Sequence, residues 1–167
     1  MSETSTIRLS GPMAPRDAWS AERCPMAAAF GLVRNRSTLL ILREALYGAE
    51  RFGDFASRTG LSEPVAAARL KEMVADGLLA QDEYREPGQR ARPRYALTEK
   101  GAELAPVLLA LKDWADRWIY DDESPIELRH VDCGAPVRVE VRCAEGHEIE
   151  HPNELELLPG PGARRRR

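Results

Sequence analysis

Between residues 24 and 77 apolar side chains recur every three or four positions, the spacing that gathers them on one face of a helix. The pattern predicts four short helices, which begin near Cys24, Thr38, Arg51 and Ser62. Gly60 ends the third helix, and Ser62 suits the N-cap of the fourth because its hydroxyl can accept a hydrogen bond from a free backbone N–H. Two short helices joined by a tight glycine-containing turn are typical of a helix-turn-helix.

The pattern changes after Gly77, where two runs typical of strands, residues 78–84 and 93–97, flank a Pro-Gly turn. From Tyr84 to Arg94 the chain holds one glutamate and four arginines, which are Arg85, Arg90, Arg92 and Arg94. A β-hairpin with a basic tip directly after a helix-turn-helix indicates a wing, whose arginines would contact DNA phosphates. The alternative is a solvated hairpin whose charges only keep an edge strand soluble.

From Thr98 onward we expect one long helix, with a single apolar stripe formed by Leu104, Val107, Leu108, Leu111, Trp114, Ala115 and Trp118. Pro106 lies inside this pattern and should kink the helix. The stripe is larger than a small winged domain needs for its own core. We therefore expect it to form a homodimer seam together with the helix over residues 24–33, and packing within its own core is the alternative.

The net charge by itself argues against a nucleic-acid partner, because 24 basic and 27 acidic side chains in 167 residues leave −3. The charge is unevenly distributed, however. Residues 121–158 hold eleven acids and three arginines, residues 164–167 are four arginines, and residues 1–120 hold 17 basic and 16 acidic groups. The overall charge therefore does not describe the main domain, whose positive charge gathers in the wing.

The same shifts in composition divide the chain into a flexible N-terminal arm (1–19), a main domain (20–120), a small acidic β-rich extension (121–158) and a flexible basic tail (159–167). The tail is expected either to be disordered or to contact phosphates nonspecifically. No apolar run reaches the roughly 20 residues that span a bilayer, so no membrane partner is expected. The first ten residues lack a signal-peptide pattern, and three cysteines do not make a disulfide scaffold, which favours the cytoplasm.

The stretch from Cys24 to Trp114 resembles the HxlR-type winged helix-turn-helix transcription regulators, which are related to the MarR group. The matching pieces occur in the family's order and spacing: Cys24-Pro25, Thr38-Leu39-Leu40-Ile41-Leu42, Arg51-Phe52-Gly53-Asp54-Phe55, Leu61-Ser62, Arg69-Leu70, Gly77-Leu78-Leu79 and Tyr95-Ala96-Leu97-Thr98-Glu99-Lys100-Gly101. The resemblance implies a dimeric bacterial regulator that is mainly α with a small β wing (α+β). Its N- and C-terminal helices would dimerise, and a small C-terminal β extension would follow.

The resemblance also implies how DNA is bound: the helix over residues 62–75 enters the major groove, and the wing reaches the adjacent groove or backbone. Two positions depart from the family pattern, with Arg36-Ser37 in place of a Lys-Trp pair and Pro64 in place of a lysine. Base reading would then rest on Ser62, Val65 and Arg69, with Val65 against a thymine methyl and Arg69 on a guanine edge. The expected DNA contacts are Arg36, Ser62, Pro64, Val65, Arg69, Arg85, Arg90, Arg92 and Arg94.

Cys24 is a candidate redox sensor because it begins a helix beside Arg23, and both features favour a thiolate. Several relatives are thought to sense oxidants or electrophiles through a cysteine in this segment, so the resemblance implies an oxidant or small-molecule effector. The alternative is a partly buried small residue that supports the dimer.

The C-terminal extension carries two short ligand pairs, His130 with Cys133 and Cys143 with His147, around a hairpin expected over residues 137–141. Two such pairs are suggestive of a structural zinc site with four ligands, and His151 is a spare ligand. The extension also resembles a cysteine-bearing, ribbon-like extension of some such regulators. A metal-free hairpin is the alternative.

Together these features predict a sequence-specific regulator that binds a palindromic double-stranded DNA operator as a homodimer. Whether it acts as a repressor or an activator depends on where the operator lies relative to the promoter. No Gly-rich phosphate loop, catalytic triad signature or paired carboxylates indicate an enzyme. The alternatives are a winged-helix protein-interaction module without DNA binding and a metal-binding accessory protein.

Overall fold

The computed structural model describes residues 6–85, 91–121 and 123–166, and these group into two units. One unit is Phe30–Arg138, and the other joins Met1–Ala29 to Val139–Arg167. This division differs from the sequential arm, domain, extension and tail expected from composition, because residues near the two ends of the chain belong to the same unit. No helix among the described residues is long and apolar enough to cross a membrane.

The helices and strands of the Phe30–Arg138 unit follow the predicted order. They are α1 (Pro25–Val33, whose first residues belong to the other unit), α2 (Arg36–Leu46), α3 (Phe52–Thr59), α4 (Glu63–Ala75), β2 (Leu79–Tyr84), β3 (Arg92–Leu97), α5 (Glu99–Ala102) and α6 (Ala105–Ile119). Strands β2 and β3 pair antiparallel from Leu79↔Leu97 to Tyr84↔Arg92. The predicted class, mainly α with a two-stranded β wing, is confirmed.

The core of this unit is formed where α2, α3 and α4 meet the base of the wing. Its fully buried side chains include Ile41, Phe55, Leu70 and Met73. The ring of Tyr95 from β3 meets Phe55 edge to face, with centroids 5.9 Å apart. The wing therefore has a fixed position relative to the helix-turn-helix, because the two share one apolar core.

Helix α5 packs directly on the backbone at the start of the wing. A Cβ atom added at Gly101 would lie 2.1 Å from the carbonyl oxygen of Leu78, so only glycine fits this approach. Thr98 caps α5 by accepting a hydrogen bond from the Gly101 N–H at 3.0 Å, and its own hydroxyl donates to the Gly77 carbonyl oxygen at 2.7 Å. These contacts join the end of α4, the wing and the C-terminal helices.

The prediction of one long helix with a kink at Pro106 is wrong in its detail, because the structure has two separate helices here. Helix α5 ends at Ala102, and Pro106 lies in the first turn of α6. A proline is favourable there because the missing N–H would have no intrahelical partner. The break thus precedes the proline, and the apolar stripe continues along α6.

The second unit pairs the beginning of the chain with its end. Strand β1 (Arg8–Leu9) runs parallel to β4 (Glu156–Leu157), and Trp19 forms an antiparallel bridge with Arg165. Segments expected to be flexible arms therefore take part in backbone pairing.

The hairpin expected over residues 137–141 is replaced by two separate turns, closed by the bridges Arg129↔Pro136 and Arg142↔Glu148. Each turn contains a glycine with positive φ, Gly134 at 68° and Gly146 at 84°, which reverses the chain on either side of the expected hairpin.

Candidate nucleic-acid interface

The helix-turn-helix is formed by α3 and α4, which are joined at a left-handed residue. Gly60 closes α3 with φ 67°, a conformation that glycine adopts without steric penalty. Helix α4 then buries Ala66, Leu70 and Met73 against the core. With this face anchored, the opposite face of α4 is presented to solvent, as a recognition helix requires.

The exposed face of α4 carries Pro64, Ala68, Lys71 and Ala75, which follow one another at four- and three-residue steps. Val65 borders this face and is 42% exposed. Lys71 was missing from the contacts expected from the sequence, although its spacing from Pro64 and Ala68 already places it on their face. The face therefore combines small apolar groups with one cation.

Ser62 and Arg69, both expected to read bases, differ in their surroundings. Ser62 is the exposed N-cap residue of α4, and its side chain makes no capping hydrogen bond. The Arg69 side chain is only 23% exposed and is paired with Glu72 on the same helix. Glu72 also lies 3.9 Å from Arg34, which in turn bonds Asp76 at 3.3 Å. Arg69 thus lies in an ion-pair network at the edge of the exposed face.

The described wing arginines fall into two groups. Arg85 and Arg92 are exposed beside the tip, whereas Arg94 is paired with Glu50, with Nη2 2.7 Å from Oε1. The hydrogen bond from Arg94 lowers the pKa of the Glu50 carboxyl below its ordinary value and raises the pKa of Arg94. Arg90 lies outside the described residues. Among the described expected contacts, Arg85 and Arg92 therefore present charge at the tip, whereas Arg94 already shares its charge with a carboxylate.

The body of the wing borders an open groove of about 610 Å³, which is lined by Asp82, Glu83, Tyr84, Arg94 and Ala96. The guanidinium of Arg51 lies 4.8 Å from the centre of the Tyr84 ring, a cation–π contact that joins the start of α3 to the wing. The groove carries two carboxylates and one guanidinium, so phosphate contact is favoured at the tip of the wing instead.

Arg36 is exposed in the first turn of α2. The preceding residue, Asn35, is the N-cap, and its side chain accepts a hydrogen bond from the Thr38 N–H at 3.2 Å. The side chain of Asn35 therefore caps α2. Positive partial charge at the helix start and the Arg36 cation together favour an anion at this end of α2.

Helix α6 leaves a continuous apolar face in solvent. Val107, Leu111, Trp114 and Trp118 succeed one another at four- and three-residue steps, and Trp118 is 72% exposed. Phe30 of α1, in the same unit, is also exposed. Apolar patches of this kind on small domains mark interaction surfaces.

Cys24 precedes the first residue of α1 and is a partly exposed free thiol. Its carbonyl oxygen accepts a hydrogen bond from the Ala28 N–H at 3.1 Å, which places it at the helix start as the sequence indicated.

The expected zinc ligands form two separate pairs. The Cys133 sulfur lies 3.4 Å from His130 Nδ1, and the Cys143 sulfur lies 3.5 Å from His147 Nδ1. The first pair belongs to one unit and the second pair, with His151, to the other. Within either unit, the described residues contain no group of three or more His, Cys, Asp or Glu side chains arranged to hold a metal. The four-ligand zinc site therefore stays a prediction, which zinc content measured by native mass spectrometry would test.

Comparisons with known proteins agree with this arrangement. An HxlR-like helix-turn-helix family model matches residues 32–123, the stretch that contains α2–α6 and the wing. The uncharacterized HTH-type transcriptional regulator Rv3095 of Mycobacterium tuberculosis is 38% identical over 136 residues, which are 80% of this chain and 84% of that protein.

Two solved structures show the same similarity. PA1607, a candidate transcription factor, matches with a TM-score of 0.70 and 32% identity, over 77% of this chain and 89% of that chain. The reduced form of the transcriptional regulator YodB from Bacillus subtilis matches with a TM-score of 0.50 and 30% identity, over 59% of this chain and 96% of that chain.

Proposed function

The chain belongs to the HxlR-like helix-turn-helix family of transcriptional regulators, which are not enzymes, and from this premise we propose that it binds a specific double-stranded DNA operator as a homodimer in the bacterial cytoplasm. The observation that carries the proposal is the outward face of α4. Helix α4 is held by three buried side chains on one face, and the opposite face is free to enter a major groove.

In this proposal α4 reads the bases with its small and basic residues. Val65 and Ala68 contact thymine methyl groups, Lys71 contacts a guanine edge, and Ser62 and Pro64 position the helix start against the backbone. Arg69 contributes from the edge of this face, where Glu72 holds its guanidinium. Each good base contact is worth about 1–3 kcal/mol of discrimination against a wrong base.

The remaining basic residues contact phosphates. Arg36 and the start of α2 bind the backbone on one side of the groove, and Arg85, Arg90 and Arg92 bind it from the wing. Arg94 has the smaller role, because its pairing with Glu50 must weaken before it can join a phosphate.

The dimer is formed through the exposed face of α6, together with α1. Burying Trp114 and Trp118 against a second copy removes a large apolar area from water, which favours association. A two-fold dimer presents two copies of α4, so its operator is a palindrome with half-sites about one helical turn apart.

The proposal extends to regulation by oxidation at Cys24. Its position at the start of α1 connects the thiol to a helix of the proposed dimer seam, so a peroxide that converts it to a sulfenic acid would alter dimer geometry. A Cys24→Ser variant would keep normal operator affinity and lose the response to peroxide or quinone. A Cys24→Ser variant that still responds would contradict this part of the proposal.

The proposal is tested by selecting DNA from a random pool with the full chain, and by measuring mobility shifts of the enriched duplex at several salt concentrations. We expect a palindromic enriched sequence and an affinity that falls steeply with salt. Failure to bind any duplex at low salt would contradict the proposal and favour a protein-interaction module.

A further inference from the structure

The four arginines that end the sequence contribute three described residues, Arg164, Arg165 and Arg166, to backbone pairing with the N-terminal segment. The Ser20 N–H donates to the Arg164 carbonyl oxygen at 2.9 Å, and the Arg166 N–H donates to the Ala18 carbonyl oxygen at 2.8 Å. These two bonds flank the antiparallel bridge between Trp19 and Arg165. Residues 164–166 are therefore held against the N-terminal segment by backbone hydrogen bonds.

The side chain of Trp19 fixes this arrangement, which we call the clasp (residues 18–20 with 164–166). Its indole N–H donates to the Pro12 carbonyl oxygen at 2.8 Å, and the guanidinium carbon of Arg165 lies 5.7 Å from the ring centre. A cation over the face of a tryptophan is the most favourable cation–π pair. The aromatic ring thus contacts the side chain of Arg165, the residue with which Trp19 forms its backbone bridge.

Alternation along the extended tail places Arg164 and Arg166 on the same face, opposite Arg165. Both are exposed, and their Cα atoms are separated by two residues, about 6.6 Å in an extended strand. Arg23 adds a further exposed cation beside the tail, because a Cβ at Gly162 would lie 3.8 Å from its guanidinium carbon. Exposed positive charge is therefore concentrated on a segment whose backbone is already ordered.

We propose that the clasp is a second nucleic-acid contact, in which Arg164 and Arg166 bind phosphates of duplex DNA without reading sequence. This inference rests on the proposed function, since it assumes that the protein is brought to DNA. A DNA strand carries one phosphate per about 3.4 Å of helix axis, so two long side chains on one face can reach neighbouring or alternate phosphates. Arginine suits the contact because its planar guanidinium donates two parallel hydrogen bonds to phosphate oxygens.

The ordered backbone raises the affinity expected from these charges. A disordered basic tail loses conformational freedom when it binds, whereas the clasp has its backbone bonds in place beforehand. The clasp thereby explains how a chain with an overall charge of −3 keeps part of its positive charge available for phosphates.

The experiment compares the full-length wild type with an Arg164→Gln/Arg166→Gln variant, using the selected operator and a random-sequence duplex at several NaCl concentrations. The plot of log affinity against log salt should lose about 0.9 in slope for each phosphate contact removed, equally for both duplexes. The matched control, Arg8→Gln/Arg138→Gln, removes the same charge from exposed positions outside the clasp and should keep the wild-type slope.

A Trp19→Leu variant retains every arginine but removes the ring under Arg165, so we expect weaker binding to both duplexes. Equal slopes in the wild type and the Arg164/Arg166 variant would overturn the inference. Reduced binding of that variant to phosphatidylserine vesicles with an unchanged DNA slope would overturn it in favour of a lipid surface. Equal affinity of the wild type for both duplexes would contradict the sequence-specific binding of the proposed function. The comparison of salt slopes between the wild type and the Arg164/Arg166 variant would then still decide whether the clasp contacts DNA.

Discussion

Gly101 allows α5 to approach the wing closely. A glycine is required at this position because one backbone carbonyl group lies where a side chain would begin. The Leu78 oxygen occupies the position that a side chain would need, and the Thr98 cap holds the helix there. The sequence indicated this glycine only through its family motif. The close approach that requires it depends on tertiary packing, which no local pattern reveals.

We predict that Gly101→Ala destabilises the protein by about 1–3 kcal/mol, because the new methyl group must displace backbone. Thermal unfolding followed by circular dichroism would measure the loss. Gly53→Ala is the matched control, since Gly53 is a helical residue with open space around its Cβ position. That variant should be neutral or slightly more stable, and equal destabilisation by both would contradict the role given to the Leu78 contact.

The ion pair between Glu50 and Arg94 makes the stability of the folded protein depend on pH, and the direction of this dependence can be predicted. The Arg94 hydrogen bond depresses the pKa of Glu50 below its ordinary value of 4.5, so the pair stabilises the folded state above that pH. Its contribution is lost as the pH falls through the depressed pKa.

We therefore expect the melting temperature of the wild type to exceed that of Glu50→Gln at about pH 7, with the difference vanishing as the pH falls through the lowered pKa of Glu50. The difference should be small because both groups are exposed. A difference that grows as the pH falls would contradict this assignment.

At the scale of the elements, periodicity predicted most of the winged helix because its core faces are regular. Leu70 and Met73 lie three positions apart on α4, and both are buried. Arg69 shows the limit of this reasoning, since a sequence motif placed it on DNA without revealing its partner Glu72. Similarly, spacing grouped Leu108 with Trp114 on one stripe, whereas the structure leaves Trp114 exposed and packs Leu108 against the core.

The exposed face of α6 predicts that Leu111→Asp disrupts the dimer. A carboxylate in an apolar seam is costly to desolvate, so we expect the dimer to weaken by about 100-fold or more. Sedimentation at micromolar concentration would show a dimer for the wild type and a monomer for the variant. Ala102→Asp, at an exposed site of α5, should remain dimeric, and a monomeric wild type would exclude this seam.

At the scale of the whole molecule, composition indicated that the two ends of the chain differ from its middle in charge and residue types. It did not indicate that the two ends pair with each other. The pairing of Arg8 with Glu156 and of Trp19 with Arg165 joins residues more than 140 positions apart. Such contacts leave no trace in local periodicity, because a two-residue strand is too short to show alternation. The charge of the tail was evident from the sequence, whereas its ordered backbone was not.

The central claim is that α4 reads DNA sequence while the wing supplies general affinity. The measurement that tests it most directly is the ratio of dissociation constants for random and selected duplexes, determined for the wild type, Lys71→Ala and Arg92→Ala at one salt concentration. We expect a wild-type ratio of about 1,000 or more, a fall of about 5- to 100-fold in Lys71→Ala, and weaker binding with an unchanged ratio in Arg92→Ala. A wild-type ratio near one, or a ratio that falls in Arg92→Ala and not in Lys71→Ala, would contradict the account.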